Sequence, residues 1–490
     1  MRLKQLIKSL DSYHVYSNLE DFEVEGITCN SKEALANYIF VAIKGTREDG
    51  HRFITEAIDN GARVIIVQGQ EASSSKWQEK NIPLIWVDDT RKALAKLAAE
   101  FYGNPSGKIK VVGITGTNGK TTVSYLIEAL IEEANFVPAV IGTINYRFRD
   151  KVIPSKNTTP GPLELQSLLS QMQNEGVNYA VMEVSSHALD QDRVAGIKFH
   201  SAIFTNLTQD HLDYHETLEN YFQAKCKLFK NINSHSFGII NHDDRYGMKI
   251  KSLTKAQVFT FGIEKKADIV AKGIKSDITK TEFVLVNNKK EINFRTPLIG
   301  RHNIYNILAS VSWALKEGLD SALIKSAIEK FNSIPGRLER IDSLRDFCVF
   351  IDYAHTEDAL ENVIKSLRQL SSHRIIVVFG CGGERDKTKR PKMGRVVSEL
   401  ADYAIITNDN PRSEDPQEII GDIKKGVGKN NYCIIPERSE AIKKSLTLAK
   451  TGDIVLIAGK GHENYQILKD RIVHFDDREV VRECLKLMNY

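Results

Sequence analysis

Val111-Val112-Gly113-Ile114-Thr115-Gly116-Thr117-Asn118-Gly119-Lys120-Thr121-Thr122 is the stretch on which the fold turns. An apolar, β-branched run enters a glycine turn, and an apolar-periodic helical pattern follows from Val123 onward. Strand, glycine loop and helix together describe a phosphate loop. Glycines let backbone amides wrap a triphosphate, and the helix N-terminus adds a partial positive charge. In this reading Lys120 reaches the outer phosphates and the Thr121 hydroxyl ligates Mg²⁺. Ile114 stands where the usual spacing has a further glycine, so a plain glycine turn in a βαβ unit is the competing reading.

Outward from this loop, apolar runs alternate with helical patterns along most of the 490 residues. That alternation predicts α/β architecture with largely parallel sheets. Polar, Gly/Pro-bearing breaks at 101–107 and 333–337 divide the chain into three expected domains, 1–106, 107–336 and 337–490. The third holds four strand candidates, 348–351, 375–379, 404–407 and 454–458, each followed by a polar or glycine-rich turn. Ligands of open α/β sheets collect at such strand ends.

Composition excludes several classes. Lysine and arginine number 67 against 63 acidic residues, a net charge of +4. That excess is too small for a nucleic-acid-binding surface. Six scattered cysteines (Cys29, Cys226, Cys348, Cys381, Cys433, Cys484) form no CxxC pair and read as reduced thiols. The first sixteen residues lack the apolar core of a signal peptide. No run approaches the ~18 to 20 apolar residues that cross a bilayer. A cytoplasmic protein with no membrane partner is expected.

A second chemical signal follows the loop. The apolar run 179–182 delivers Glu183 to a strand's C-terminal mouth. A buried carboxylate there is costly alone but natural beside a divalent cation. The next strand, 202–205, leads into Asn206-Leu207-Thr208-Gln209-Asp210-His211. His211 by itself reads sooner as a satisfied surface histidine than as a metal ligand. Glu183 and His211 on successive strand ends behind one phosphate loop point to Mg²⁺ and phosphoryl transfer.

The wording Gly116-Thr117-Asn118-Gly119-Lys120-Thr121-Thr122 resembles the ATP-binding loop of the Mur ligases and of the related folylpolyglutamate synthases. The resemblance extends from about residue 27 to 479. It implies a central P-loop ATPase-like parallel sheet, a Rossmann-like C-terminal domain and a smaller α/β N-terminal domain. It implies ATP and Mg²⁺ as cofactors, with Thr121, Glu183, His211 and Lys225 as metal ligands and Lys120 as a catalytic cation. Tyr221-Phe222-Gln223-Ala224-Lys225 resembles the segment in which the family carries a carbamylated lysine; an ordinary helix-surface lysine is the alternative. Asn303, Asn306, Arg337, Asp352 and His355 are implied on the nucleotide side.

Asn157-Thr158-Thr159-Pro160-Gly161 and the run 183–194 resemble the tripeptide-forming branch of the family. They imply that Asn157, Thr158, Thr159, Ser185, Gln191 and Arg193 hold UDP-N-acetylmuramoyl-L-alanyl-D-glutamate. Asn30-Ser31-Lys32 and the segment 38–51 resemble the family's UDP-binding domain, with Ser31 as a nucleotide contact; the family usually has Asp-Ser-Arg there. Asp409-Asn410-Pro411-Arg412 resembles the signature of the enzymes that add meso-diaminopimelate, with Arg385, Gly459 and Glu463 completing the pocket. Diaminopimelate differs from lysine by one carboxylate, which a guanidinium can pair bidentately. A loop arginine in a surface salt bridge is the other reading of Arg412. The expected activity is ATP-dependent amide ligation by a monomer. A lysine- or dipeptide-adding ligase and a non-catalytic nucleotide switch remain as competing functions.

Overall fold

A computed structural model of the chain describes residues 1–15, 19–45, 48–69, 82–287, 290–343 and 345–488. Tyr16, at the end of the N-terminal stretch, and Thr46 and Arg47 of the segment 38–51, lie outside the described residues. The chain forms two compact units, Met1–Val270 with Tyr305–Ile324, and Ala271–Ile304 with Lys325–Tyr490.

The first unit carries two sheets. The smaller has β1 (His14–Val15), β2 (Gly26–Thr28), β3 (Tyr38–Val41), β4 (Ala62–Gln68) and β5 (Leu84–Val87) in the order β1-β5-β4-β3-β2. All its pairings are parallel except β1 with β5. The Lys/Ala-rich helix Thr90–Phe101 covers it with Ala93, Leu94 and Leu97, and Asp89 caps that helix by accepting from Arg91 N at 2.9 Å and Lys92 N at 3.1 Å. The break at 101–107 follows: Asn104 turns left-handed at φ 51° before a 3-10 turn at Pro105–Gly107.

The second sheet contains β6 (Lys110–Thr115), β7 (Pro138–Ile141), β8 (Asn145–Phe148), β9 (Lys151–Pro154), β10 (Tyr179–Glu183), β11 (Phe199–Phe204), β12 (Phe237–Asn241) and β13 (Gln257–Gly262). Their order is β13-β12-β11-β6-β10-β7-β8-β9. From β13 to β7 the pairs are parallel; β8 and β9 close the edge as an antiparallel hairpin. β10 is buried at every residue, as befits a parallel strand covered on both faces. Chain direction across the sheet reverses at β6, with β7 and β10 on one side and β11 to β13 on the other. In open α/β sheets, ligands bind beyond the strand ends at such a switch point. Register aligns Glu183 with Ile114 and Phe204 with Thr115, so three strands terminate together around the phosphate loop.

The chain passes into the second unit within β14 (Ile269–Ser276), and β15 (Thr281–Asn287) pairs antiparallel with β16 (Lys290–Thr296). The main sheet there holds β17 (Glu339–Ile341), β18 (Cys348–Asp352), β19 (Ile375–Phe379), β20 (Tyr403–Ile406), β21 (Tyr432–Ile434) and β22 (Ile454–Ala458), ordered β17-β18-β22-β19-β20-β21. Only β17 is antiparallel. Alternate residues serve opposite faces. Ile375, Val377 and Phe379 pack with Leu360, Met393 and Ile420, while Ile376 and Val378 pack with Ile442, Leu446 and Val481. This is a doubly wound, Rossmann-like sheet, and a hairpin of β23 (Tyr465–Ile467) and β24 (Ile472–His474) follows it.

The expected strands of this region match β18 to β20 and β22 within one residue at each end. The helix expected from Val123 begins three residues earlier, at Lys120. Among the described residues no helix is long and apolar enough to cross a membrane, and all six cysteines are free.

Candidate active site

In the first unit the loop after β6 is shaped by two glycines that nothing else can replace. Gly116 has φ 152°, and a Cβ there would lie 1.9 Å from Thr205 Oγ1. Gly119 has φ 89°, and a Cβ would lie 2.3 Å from Asn306 Oδ1. The loop is also tied from below. Thr117 N donates to Asn206 O at 2.9 Å, Asn118 N to Asn206 Oδ1 at 3.0 Å, and Thr205 Oγ1 to Asn118 O at 2.6 Å. Lys120 donates to the loop's own carbonyls, Gly116 O at 3.0 Å and Thr117 O at 2.8 Å. Thr122 is buried in the first turn of the following helix.

Glu183 ends β10 only 1% exposed. Among the described residues no cation touches its carboxylate; three donors do. Thr121 Oγ1 and Thr143 Oγ1 each reach Oε2 at 3.0 Å, and Thr143 N reaches Oε1 at 3.0 Å. Gly142 is required beside it, since a Cβ would stand 2.4 Å from Oε1. A buried carboxylate next to a threonine hydroxyl at the mouth of a phosphate loop is a hard-oxygen donor pair that suits Mg²⁺. Among the described residues no group of three or more His, Cys, Asp or Glu side chains converges as a metal cage. A Mg²⁺ here would take its other oxygens from water or phosphate, as that ion usually does.

Lys225 is not the helix-surface lysine of the alternative reading. It is 1% exposed on the helix Leu218–Asn231, donates to Gly116 O at 2.8 Å and stands 4.4 Å from the Tyr221 ring centroid. Burial first, then the charge of Lys120, drives its ammonium well below the usual lysine range. His211 departs from expectation in its placement. β11 ends at Phe204, and His211 lies in the following loop at φ 51°, half-exposed, with Nε2 3.5 Å from Asp210 Oδ2. Its ring makes no hydrogen bond to Glu183; it packs 4.8 Å from His187 and 6.2 Å from Tyr221. His187 is pushed down to about 4 by burial and by the neighbouring His211 and His215.

The dipeptide-side residues form one hydrogen-bonded group. Thr158 Oγ1 meets Thr143 Oγ1 at 3.1 Å; Thr159 Oγ1 donates to Glu183 O at 2.8 Å and accepts from Ser185 N at 3.0 Å. Arg193 donates to Thr159 O at 3.0 Å and grips Gln191 Oε1 at 3.0 and 2.7 Å, and Gln191 Nε2 reaches Tyr214 OH at 3.2 Å. Asn157 joins through its carbonyl, which accepts from Tyr146 OH at 2.6 Å. Ser31 lies apart in the smaller sheet's region, buried, its hydroxyl on Glu56 at 2.5 Å. Asn30 caps the turn there by accepting from Lys32 N at 3.2 Å. Asn306 sits against Gly119.

The second unit carries the remaining expected residues, most of them just after β18, β19, β20 and β22. Asp352 accepts from Leu338 N at 2.7 Å and Ala354 N at 2.8 Å, and burial raises its pKa. Arg337 lies 4.8 Å above the Tyr353 ring, His355 pairs with Tyr353 O at 2.8 Å, and Asn303 donates to Ile299 O at 2.8 Å. Asp409, Asn410 and Pro411 are buried. Asn410 is a hub: Oδ1 accepts from Ile467 N at 3.0 Å and the wholly buried Lys460 at 3.2 Å, while Nδ2 donates to Glu463 at 2.9 Å. Burial lifts the pKa of Glu463, against the pull of Lys460. A Cβ on Gly459, at φ 117°, would lie 2.7 Å from Asp409 Oδ2.

Arg412 makes no salt bridge among the described residues. It is half-buried, holds φ 54°, and spends Nη1 on two backbone carbonyls, Gly383 O at 2.8 Å and Asn410 O at 3.4 Å. That anchor leaves the Nε/Nη2 edge, the side-on fork that takes a carboxylate, without a protein partner among the described residues. Arg385 is exposed one loop away.

Five contributors escaped sequence reasoning: Thr143, Tyr214, Glu414, Arg438 and Lys460. Arg438 is wholly buried on Asp477 and also donates to Ala458 O at 3.1 Å, one residue before Gly459. Only Thr143 left a readable trace, since Gly142-Thr143 follows an apolar strand directly.

Comparison with known proteins agrees with this layout. The Mur ligase middle domain matches residues 114–314, the Mur ligase glutamate ligase domain 336–461, and the Mur ligase family catalytic domain 23–102. The chain is similar to the UDP-N-acetylmuramoyl-L-alanyl-D-glutamate--2,6-diaminopimelate ligase of Clostridium tetani, 45% identical over 99% of each chain. It is likewise similar to the protein of that name from Aquifex aeolicus, 45% identical over 94% of each. A solved structure of a ligase of the same name aligns with TM-score 0.69 at 31% identity, over 95% of this chain and 96% of that one. A Thermotoga maritima MurF ligase solved in complex with ADP, 21% identical with TM-score 0.60 over 94% and 97%, shares the fold.

Proposed function

The chain belongs to the Mur ligase family, and from that premise we propose that it joins meso-2,6-diaminopimelate to UDP-N-acetylmuramoyl-L-alanyl-D-glutamate at the expense of ATP, making a peptidoglycan precursor. The observation that carries the choice of amino acid is the open Nε/Nη2 fork of Arg412, anchored through Nη1 alone. A second carboxylate would pair with that fork, and lysine would leave it unpaired. Full-length relatives bearing the diaminopimelate name support the same reading.

The reaction runs in two steps. An oxygen of the D-glutamate side-chain carboxylate attacks the γ-phosphorus of ATP; the bond to the bridging oxygen breaks, and ADP leaves with that electron pair. The free amine of diaminopimelate then attacks the acyl carbon. The C–O bond breaks, inorganic phosphate departs, and the nitrogen loses a proton. Activation is needed because a carboxylate is a poor acyl donor. Lys120 would leave the loop carbonyls it now touches for the transferring phosphoryl group. Thr158, Thr159, Ser185, Gln191 and Arg193, with Asn157, would hold the dipeptide, and Ser31 the uridine end. Thr121, Glu183, His211 and a carbamylated Lys225 would hold Mg²⁺, which neutralises charge during phosphoryl transfer. The depressed ammonium of Lys225 supports the modification: a neutral amine attacks carbon dioxide, and its carbamate supplies an anionic oxygen where an ammonium would repel the metal. Residues 1–106, 107–336 and 337–490 are assigned to the uridine substrate, ATP and the amino acid, and the protein to the cytoplasm as a monomer.

Phosphate release with the UDP-muramoyl-dipeptide and a panel of diamino acids tests this. Diaminopimelate should be preferred over lysine by at least about tenfold in kcat/KM, and Arg412→Ala should erase that preference. Equal use of lysine by the native protein would assign it to a sister activity. ATP binding without phosphate release, all substrates present, would leave only a nucleotide switch.

A further inference from the structure

β19 and β20 are parallel neighbours, so the loops that follow them, 380–386 and 407–414, run side by side. They leave no gap. A Cβ on Gly383 would lie 1.9 Å from Pro411 O, and one on Gly382 would lie 3.0 Å from Arg412 Nη1 and 3.8 Å from Arg385 Cγ. Both arginines thus pass close to Gly382. Each loop also turns through a left-handed non-glycine residue, Glu384 at φ 55° and Arg412 at φ 54°. Such a backbone is disfavoured for L side chains and persists only where its surroundings over-determine it.

What over-determines it is a ladder between the loops. Gly383 N donates to Asn410 O at 2.9 Å, Arg412 Nη1 to Gly383 O, Glu384 N to the Glu414 carboxylate, and Ser413 Oγ to the Glu384 carboxylate. Glu414 is the rung anchored in the body of the unit. Both its oxygens take Arg390 Nη2, at 3.0 and 2.9 Å. Arg390 stands on the helix Lys389–Leu400 with its side chain fully buried, and its Nη1 reaches Asp422 at 3.1 Å. Lys387, largely exposed, adds a looser contact at 3.3 Å. An arginine buried this completely is fixed in place, so the loop it grips is fixed too.

We propose that Glu414, held by Arg390, is a positioning and specificity-determining residue: by tying the two loops together it sets the separation of Arg385 and Arg412, and so the fit to the second carboxylate of the amino-acid substrate. This rests on the reading that the pocket takes a diamino diacid. Neither Glu414 nor Arg390 would touch the substrate. Loss of the tie would let Arg412 relax from its left-handed backbone and its fork drift from the carboxylate.

The test is steady-state kinetics with diaminopimelate, lysine and ATP for the native protein, Glu414→Ala, Glu414→Gln, Arg412→Ala and the Arg412→Ala/Glu414→Ala double variant. Glu414→Ala should raise KM for diaminopimelate about tenfold, the worth of a well-placed charge-assisted contact. It should narrow the diaminopimelate-to-lysine ratio by a similar factor and leave KM for ATP unchanged. Glu414→Gln keeps an acceptor for the Glu384 amide while losing the ion pair, and should fall between. In the Arg412→Ala background, removing Glu414 should narrow the ratio no further. A Glu414→Gln protein that unfolds more readily yet discriminates as the native one does would overturn the proposal, as would additive losses in the double variant. A native protein with no preference for diaminopimelate would instead overturn the functional reading beneath it, before any variant is made.

Discussion

The two ends of the central sheet in the first unit treat charge in opposite ways. At the starting end, Lys110 opens β6, Tyr179 opens β10 and His200 lies near the start of β11, and all three converge on Glu317. Lys110 Nζ and Tyr179 OH each reach its carboxylate at 2.9 Å, and the His200 ring completes the group. Burial would raise Glu317, yet the His200 and Lys110 contacts hold its carboxyl down at about 2. At the finishing end two lysines, Lys120 and Lys225, both rest on Gly116 O, and the buried carboxylate of Glu183 is met by hydroxyls and an amide instead. One end is electrostatically complete. The other is left wanting anionic phosphates beside its lysines and a cation beside its carboxylate. Folding is served where charges are matched, and ligand binding where they are withheld.

The largest test of this contrast is Lys225→Met. Activity should fall by about 10³-fold or more, because the metal ligand proposed at this position would be lost. Stability should nevertheless rise in bicarbonate-free buffer. The folded pKa of Lys225 is depressed, so below about pH 10.5 the unfolded chain binds a proton that the folded chain refuses. That penalty grows as pH falls from about 10.5 toward the depressed folded value, and the gain from methionine should grow with it. Chemical denaturation from pH 10 to pH 7 measures it. A variant less stable than the native protein at pH 7 would mean that the finishing end is not strained.

Glu317→Gln is the mirror experiment. The folded pKa of about 2 lies below the ordinary 4.5, so the carboxylate's contribution is complete above 4.5 and vanishes as pH falls toward 2. The side chain is 4% exposed, so little solvent screening applies. The shift corresponds to about 3 kcal/mol at pH 7. Urea unfolding should show that loss at pH 7 and a much smaller one at pH 3, with kcat within about twofold of native. A fall in kcat instead would make the starting end part of the chemistry.

The contrast also separates what the sequence made legible from what it hid. β19 and β22 coincide with their expected spans because fully buried parallel strands read as unbroken apolar runs. Gly116 and Gly119 announce the loop because only glycine tolerates both their φ angles and their neighbours. Lys225 was legible in part: Tyr221, Lys225, Leu228 and Phe229 share the buried stripe of one helix, so a lysine there is misplaced unless it has a task. Glu414 and Glu317 carry no such mark. Each is a single polar residue whose partners stand far along the chain, and no local period encodes such a pairing. His211 falls in the polar loop after β11 rather than at a strand end, because no apolar run marks how far a loop carries its residues from the strand.

The smallest effect discriminates most finely between the two ends. Lys110 shares Glu317 with His200 and Tyr179, but its own side chain is 47% exposed, so water screens most of what it contributes. Burial would lower its pKa, and the contacts to Tyr179 and Glu317 overcome that and raise it. A raised lysine contributes stability below the unfolded value near 10.5, and the contribution fades as pH climbs through the folded one. Lys110→Met should therefore cost only about 0.5 kcal/mol at pH 7, and less still in 1 M salt, where the screening length falls to about 3 Å. In the Glu317→Gln background the same change should cost almost nothing, since the partner is already neutral. If Lys110→Met alone cost as much as Glu317→Gln, the starting end would act as a single buried ion pair. The proposed gradation, a buried acid supported by several partial donors, would then be wrong.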